Sequence, residues 1–239
     1  MLNLIDITRK LLKGDFTGLL GIVKTNKEIH PAEVAKMLSG VPYKTSLKGF
    51  RMLPTESQLK VFPYLDILLQ IKIIRVISSD RSSYILNKLS SDDRTTFYSA
   101  VKGVERSHLL ELLDAKNRDA VHNLLGYPEN SVARLINTEF ATITTERTIA
   151  QAMDHLRLNH KDNETANVIY VVDENGKLID DIPIRKLVLN EPAKKVADIL
   201  DGFCVTLHMM DTKEDAVAKF KEYDRVVLPV ANEENILMG

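Results

Sequence analysis

The sequence predicts an α + α/β protein: a superhelical array of short helices, followed by two tandem β-α-β-β-α copies of which the second stops short. Three observations carry that expectation. A twelve-residue hydrophobic beat runs through the first half, short β-branched runs replace it after Tyr127, and residues 170–178 align without a gap with residues 229–237. Composition agrees: of 239 residues, 44% are hydrophobic and 27% charged, with a net charge of −1 and one cysteine, Cys204. These values argue against a disordered chain, a disulfide scaffold and a nucleic-acid binder driven by basic charge. No run approaches the roughly 18 apolar residues of a membrane span. The most apolar stretch, residues 65–77, carries Asp66, Gln70, Lys72 and Arg75. The first ten residues lack the order of a secretory signal, so the chain reads as a soluble intracellular polypeptide.

The array opens with a weak helical stretch over residues 5–24, interrupted by Gly14, Gly18 and Gly21. From Val41, every twelfth residue is apolar: Val41, Leu53, Leu65, Ile77, Leu89, Val101, Leu113 and Leu125. Two companion series, starting at Met37 and Leu38, raise the apolar count to 22 of 24 places, about twice the number that random placement gives. Positions i, i+1 and i+4 share one helix face. Twelve residues hold about eight or nine in a helix and three or four in a turn. The turns carry start signals: Thr55-Glu56-Ser57-Gln58 reads as a capping box, and Ser79-Asp80 and Ser91-Asp92-Asp93 put acids in a first turn. Such helices are too short to be stable alone and must bury their stripes against one another, over residues 29–126. His122, on the stripe, reads as a satisfied core histidine. The array reads as a scaffold or interaction domain.

After Tyr127-Pro128-Glu129-Asn130 the elements change. Residues 145–160 have helical spacing at Ile149, Ala150, Met153 and Leu156. Residues 167–172 form a β-branched strand, Asp173-Glu174-Asn175-Gly176 a hairpin turn, residues 177–182 the returning strand and residues 184–190 a short helix. The order then repeats: a strand over 204–207, a helix over 211–223, a strand over 226–230, a turn over 232–235 and a returning strand begun at 236–238. Gly239 falls inside that strand, so the native protein is expected to continue into the closing helix and beyond.

The tandem units resemble a CBS-domain pair. The array ahead of them, entered by Ile29-His30-Pro31-Ala32-Glu33, resembles the N domain of the MgtE family of bacterial magnesium channels. The joint Leu125-Gly-Tyr-Pro-Glu-Asn-Ser-Val-Ala-Arg-Leu-Ile-Asn-Thr-Glu-Phe140 is similar to the family's YPED-x-AG-x-LMT-x-EF linker, and Tyr223-Asp-Arg-Val-Val-Leu-Pro-Val230 also matches. The resemblance implies an N domain over 1–126, a linker over 127–139 and a CBS pair over 140–239, divided into 140–195 and an incomplete 196–239. It further implies a homodimer through the CBS pair, placed in the cytoplasm at the inner face of the cell membrane, ahead of the protein's own transmembrane pore. Mg²⁺ held between acidic N-domain and CBS positions would close that pore. Opposed carboxylates repel without a cation, and a hydrated Mg²⁺ removes the repulsion.

By the same resemblance the metal positions are Asp224, Asp92 and Glu214, with Asp93, Asp215 and Glu222 as neighbours. Each has a plainer reading. Asp92 follows a helix start, where an acid stabilises the dipole, and Glu214 sits three residues after Asp211, where a capping-box Glu belongs. Asp224, near a helix C-terminus, gains nothing from the dipole. Other acidic positions of the family are Lys60, Thr96 and Thr212 here. CBS pairs of some relatives bind adenine nucleotides through Ser/Thr-x-x-Asp; here that place reads Pro183-Ile184-Arg185-Lys186, leaving Arg185 alone to meet a phosphate. Adenine nucleotide is therefore not expected as a cofactor.

Catalysis is not expected. His30, His108, His122, His155, His160 and His208 make no zinc spacing with Cys204, and Gly14, Gly18 and Gly21 lead into no Gly-Lys-Ser/Thr. Residues His208-Met209-Met210 cannot all face one ion from a strand end and read as edge packing. The sequence thus reads as the magnesium-sensing regulatory region of an MgtE-type channel. The rival readings are a stand-alone CBS-containing module regulating a separate partner without magnesium sensing, and a structural scaffold. A reading frame continuing into five apolar spans would favour the first, and an early stop the second.

Overall fold

A computed structural model describes residues 4–24, 29–160 and 167–239. Residues 1–3, part of the segment read for a secretory signal, lie outside the described residues. The chain divides into two compact units, one running to Leu89 and taking in Thr96–Val121, the other made of Ser90–Thr95 and His122–Gly239. No helix among the described residues is long and apolar enough to cross a membrane.

The first unit is built from α1 (Leu4–Leu12), α2 (Thr17–Lys24), α3 (Pro31–Ser39), α4 (Tyr43–Met52), α5 (Thr55–Val61), α6 (Ile67–Ile74), α7 (Ser79–Lys88), most of α8 (Ser91–Ala100), α9 (Gly103–Leu110) and most of α10 (Ala115–Leu125). The stretch over 5–24 is two helices rather than one interrupted helix. Gly14 takes φ +79°, and Asp15 Oδ1 receives Thr17 N at 2.9 Å and starts α2. The twelve-residue beat is the core. Met37, Val61, Ile73, Ile85, Phe97, Leu109 and Val121 are all buried, as are Leu38, Phe50, Phe62, Ile74, Leu86, Tyr98 and Leu110. Gly49 keeps this register because a Cβ there would lie 2.8 Å from Leu38 Cδ2. His122 departs from the expectation: it is exposed, because Val121 and Leu124, three apart, carry the buried face and turn position 122 outward.

A second series with the same period is polar and buried. Ser46, Gln58, Gln70 and Ser82 lie twelve residues apart, each at most 7% exposed. Each reaches back eight residues: Ser46 Oγ to Leu38 O at 2.6 Å, Gln58 Nε2 to Phe50 O at 2.8 Å, Gln70 Nε2 to Phe62 O at 3.0 Å and Ser82 Oγ to Ile74 O at 3.3 Å. The first three also donate to a carbonyl five residues back, Val41, Leu53 and Leu65. Those carbonyls end the preceding helix, where helical partners run out. Thr55-Glu56-Ser57-Gln58 is therefore not a capping box: α5 is preceded by Pro54 without a side-chain cap, and Gln58 turns inward to join this series.

The second unit holds β1 (Thr142–Ile143), α11 (Ile149–Asn159), β2 (Val168–Val172), β3 (Leu178–Pro183), α12 (Ile184–Leu189), β4 (Leu207–His208), α13 (Lys213–Glu222) and β5 (Val230–Ala231). One sheet has the order β1-β2-β3, with β1 parallel and β3 antiparallel to β2; the other pairs β4 parallel to β5. The second copy's strands are shorter than the β-branched runs suggest, since residues 204–206 and 226–229 have no ladder partner among the described residues.

Duplication is visible atom by atom. Asp173 Oδ1 receives Asn175 N and Lys177 N, and Asn232 Oδ1 receives Glu234 N and Ile236 N. Gly176 and Asn235, aligned in the two turns, both have positive φ, +79° and +63°. The turns meet, with Leu178 N donating to Asn235 O and Leu237 N to Gly176 O. Thr148 with Gln151 and Thr212 with Asp215 form equivalent capping boxes. The box of α13 thus uses Asp215 with Thr212, not Glu214 with Asp211. Residues 132–135 and 196–199 are equivalent short 3₁₀ turns that cross over: Val132, Ala133 and Ile136 complete the core of the second copy, and Val196 that of the first. Between the copies lie Tyr170, Val172, Leu178 and Leu237, with Phe140, Cys204 and Val227 packed against them. This is the architecture of a CBS-domain pair.

Candidate functional site

Asp92 and Asp93 occupy the first turn of α8. That turn belongs to the second unit because Ser91 Oγ donates to Ile136 O at 3.2 Å and receives Thr138 N at 2.8 Å. Both acids are half-buried. Burial and the neighbouring Asp92 charge push the Asp93 carboxyl above its ordinary value, against the bond from Ser90 Oγ at 3.0 Å. Asp92 Oδ1 is shut off from solvent and has no hydrogen-bond partner. A buried carboxylate oxygen without a donor is costly unless a cation or proton meets it. Carboxylates are also the donors that hard divalent cations take, so this pair fits Mg²⁺ chemically.

The other candidate acids lie on or after α13, and each is exposed. Glu214 Oε2 accepts from Asn130 Nδ2 at 2.8 Å, which lowers its pKa and ties the linker to the helix start. Asp215 is held below the usual carboxylate range by the Thr212 hydroxyl and amide. Glu222 closes the last turn. Asp224 follows it with φ +49°, a conformation that a side chain rarely adopts, and Arg225 N reaches back to Phe220 O at 3.1 Å. No hydrogen bond or ion pair joins the Asp224 carboxylate to a described residue. Of the places where the resemblance expects acids, Thr212 is the N-cap of α13, while Lys60 and Thr96 are exposed.

The structure does not gather these acids into one cluster. Among the described residues, the group of three ligand-type side chains with donor atoms within 4.8 Å of one another is Asp180, Asp181 and Cys204. No sequence motif marks it. Next to it, Arg225 Nη1 pairs with Asp181 Oδ2 at 3.0 Å and Lys186 Nζ with Asp201 Oδ2. Arg185 is exposed. His208 and Met210 are exposed and only Met209 is buried, so the three alternate as a strand end requires.

Residues 29–130 match the family model of the MgtE intracellular N domain. The magnesium transporter MgtE of Thermus thermophilus is 27% identical over 238 residues, 98% of this chain and 52% of that protein. The magnesium transporter MgtE of Bacillus subtilis is 23% identical over 212 residues, 89% of this chain and 47% of that one. The chain spans about half the length of the curated relatives it matches. A crystal structure of the cytosolic domain of the Mg²⁺ channel MgtE in complex with ATP superposes with a TM-score of 0.87 at 27% identity, covering 99% of this chain and 96% of that one.

Proposed function

We propose that this chain, whose residues 29–130 match the MgtE intracellular N domain and which superposes over nearly its whole length on the cytosolic domain of the Mg²⁺ channel MgtE, is the magnesium-sensing regulatory region of a magnesium channel. The relatives are transporters, and the chain is not an enzyme. In this reading residues 1–126 are the N domain, 127–139 the linker and 140–239 the CBS pair. The pair makes a homodimer on the cytoplasmic side of the membrane, and the pore is the protein's own. Mg²⁺ bridging acidic N-domain and CBS positions favours the closed pore.

The observation that carries the reading is the partnerless, buried Asp92 Oδ1 beside Asp93. Bound Mg²⁺ would meet the Asp92 oxygen that has no hydrogen-bond partner. Asp92 and Asp93 would offer carboxylate oxygens from the α8 turn, and Asp224 an oxygen from a backbone held in a sparsely populated conformation. Glu214, Asp215 and Glu222 add negative charge along α13. A sensor needs only to bias two states by a few kcal/mol, so weak affinity suffices.

Limited proteolysis across zero to tens of millimolar Mg²⁺ at matched ionic strength tests this. Protection of the 127–140 joint by Mg²⁺, but not by matched NaCl, is the expected result. No protection favours the stand-alone module or the scaffold.

A second reading, nucleotide binding, has the ATP of the superposing channel domain in its favour. Against it, Lys186 stands where a ribose-binding carboxylate is expected and is already paired with Asp201. Calorimetry with ATP, repeated on Arg185→Ala, decides it: a micromolar signal lost in the variant would establish a phosphate contact at Arg185.

A further inference from the structure

Asp180 and Asp181 are consecutive residues of β3, yet both are buried. Strict strand alternation would send them to opposite faces. The irregularity where Val172 faces Leu178 and Val171 faces Asp180 leaves Ile179 as the outward residue and breaks the alternation. Two carboxylates and the Cys204 thiol then share one space, with donor atoms within 4.8 Å of one another.

Their surroundings hold them in place. Asp180 Oδ1 receives Asp181 N at 2.9 Å, and its Oδ2 receives Asp201 N at 3.2 Å and Gly202 N at 3.1 Å. Asp181 Oδ2 receives Arg225 Nη1 at 3.0 Å. Asp181 Oδ1 is different: its residue is 4% exposed, and that oxygen has no hydrogen-bond partner. The Cys204 thiol, a weak donor, is the group that faces this carboxylate besides Arg225, so a buried oxygen is left that a cation would meet better than the thiol does.

We propose that Asp180, Asp181 and Cys204 form a site for a borderline-soft divalent ion of the Zn²⁺ kind, separate from the acidic magnesium positions. Sulfur selects against Mg²⁺, which takes oxygen ligands in a near-octahedral shell. Zn²⁺ accepts thiolate and carboxylate together, and three protein ligands leave a fourth position for water. Charge closes as well: two carboxylates and a thiolate around a 2+ ion leave −1, and Arg225 supplies +1. The backbone amides on Asp180 and the guanidinium on Asp181 orient the ligands as a second shell does. Cys204 is a free, half-buried cysteine whose thiol carries the proton that the metal displaces. Binding forms the metal–sulfur bond and releases that proton to solvent.

The test uses the whole chain, stripped of metal and titrated with Co²⁺, whose thiolate complexes absorb in the near ultraviolet. One equivalent should raise a thiolate-to-cobalt band that Zn²⁺ displaces and millimolar Mg²⁺ does not. Cys204→Ser should abolish the band, and Asp181→Asn should weaken binding about tenfold or more. Asp224→Asn should leave it intact, so this outcome is independent of the magnesium reading. A thiol reagent covers the chance that the variants misfold: Zn²⁺ should slow labelling of wild-type Cys204 about tenfold or more. A folded protein that gives no band, a band unchanged in Asp181→Asn, or labelling indifferent to Zn²⁺ would overturn the proposal.

Discussion

Arg225 Nη1 lies 3.0 Å from Asp181 Oδ2, which ties the residue after Asp224 to the middle of β3. The Asp181 side chain is 2% exposed and that of Arg225 is 29% exposed. Removing the cation strands a buried charge, whereas removing both partners does not. Arg225→Met is expected to cost about 1–3 kcal/mol, the partial exposure of Arg225 keeping it below a fully buried pair. Asp181→Asn in the same chain should restore part of the loss. Urea denaturation of the single and double variants checks this, and equal stabilities for both would refute it.

Asp224→Gly should separate stability from sensing. Glycine adopts φ +49° without the side-chain penalty, so the variant should gain about 0.5–1 kcal/mol. It should also lose Mg²⁺ protection of the linker. A variant that is more stable and still fully protected would remove Asp224 from the magnesium positions.

Gln58→Leu keeps the approximate volume and deletes two donors, leaving Phe50 O and Leu53 O without that amide inside the core. A loss of about 1–3 kcal/mol is expected. The exposed Lys60→Leu, on the same helix, should change stability by less than about 0.5 kcal/mol. Comparable losses in the two would mean that the inward bonds of Gln58 contribute nothing.

Asp93 gives a pH dependence with a definite sign. Burial and the Asp92 charge raise its folded pKa, so the folded chain holds that proton to higher pH than the unfolded chain does. Between the unfolded value near 4 and the raised folded value, this group's contribution to stability falls as pH rises. Asp93→Asn removes the fall, so the variant should gain on the parent as pH is raised through that window without divalent cations. Thermal denaturation from about pH 4 to pH 7 measures the difference, and a flat difference would count against the assigned environment.

The helical array was legible because its signal is redundant: three apolar series repeat with one period, and a single exception such as His122 leaves the pattern intact. The inward polar series at Ser46, Gln58, Gln70 and Ser82 was also in the sequence. Its period is the same, but attention to apolar positions passes over it, and Gln58 then looks like half of a capping box. The CBS turns were legible from Asp173-Glu174-Asn175-Gly176 and its copy at 232–235, whose side-chain bonds coincide in the structure. The shared position of Asp180, Asp181 and Cys204 was not. It depends on a local break in strand alternation and on two segments more than twenty residues apart, neither of which has a period or a motif. The acids at 92, 93, 214 and 224 were found by resemblance. What separates them chemically, an oxygen without a donor at Asp92 and a left-handed backbone at Asp224, exists only in three dimensions.

The inward polar series also bears on how the first unit comes into being. Each rung joins residues eight or five positions apart, so a rung can close as soon as one more repeat has been synthesised. Folding governed by such local contacts is fast, and repeat arrays propagate from neighbour to neighbour. The array can therefore assemble from its N-terminal end on the ribosome, helix by helix. The second unit cannot follow that schedule: the 3₁₀ turn at 132–135 must wait for β4 and α13, some seventy residues later, before its buried side chains find their core.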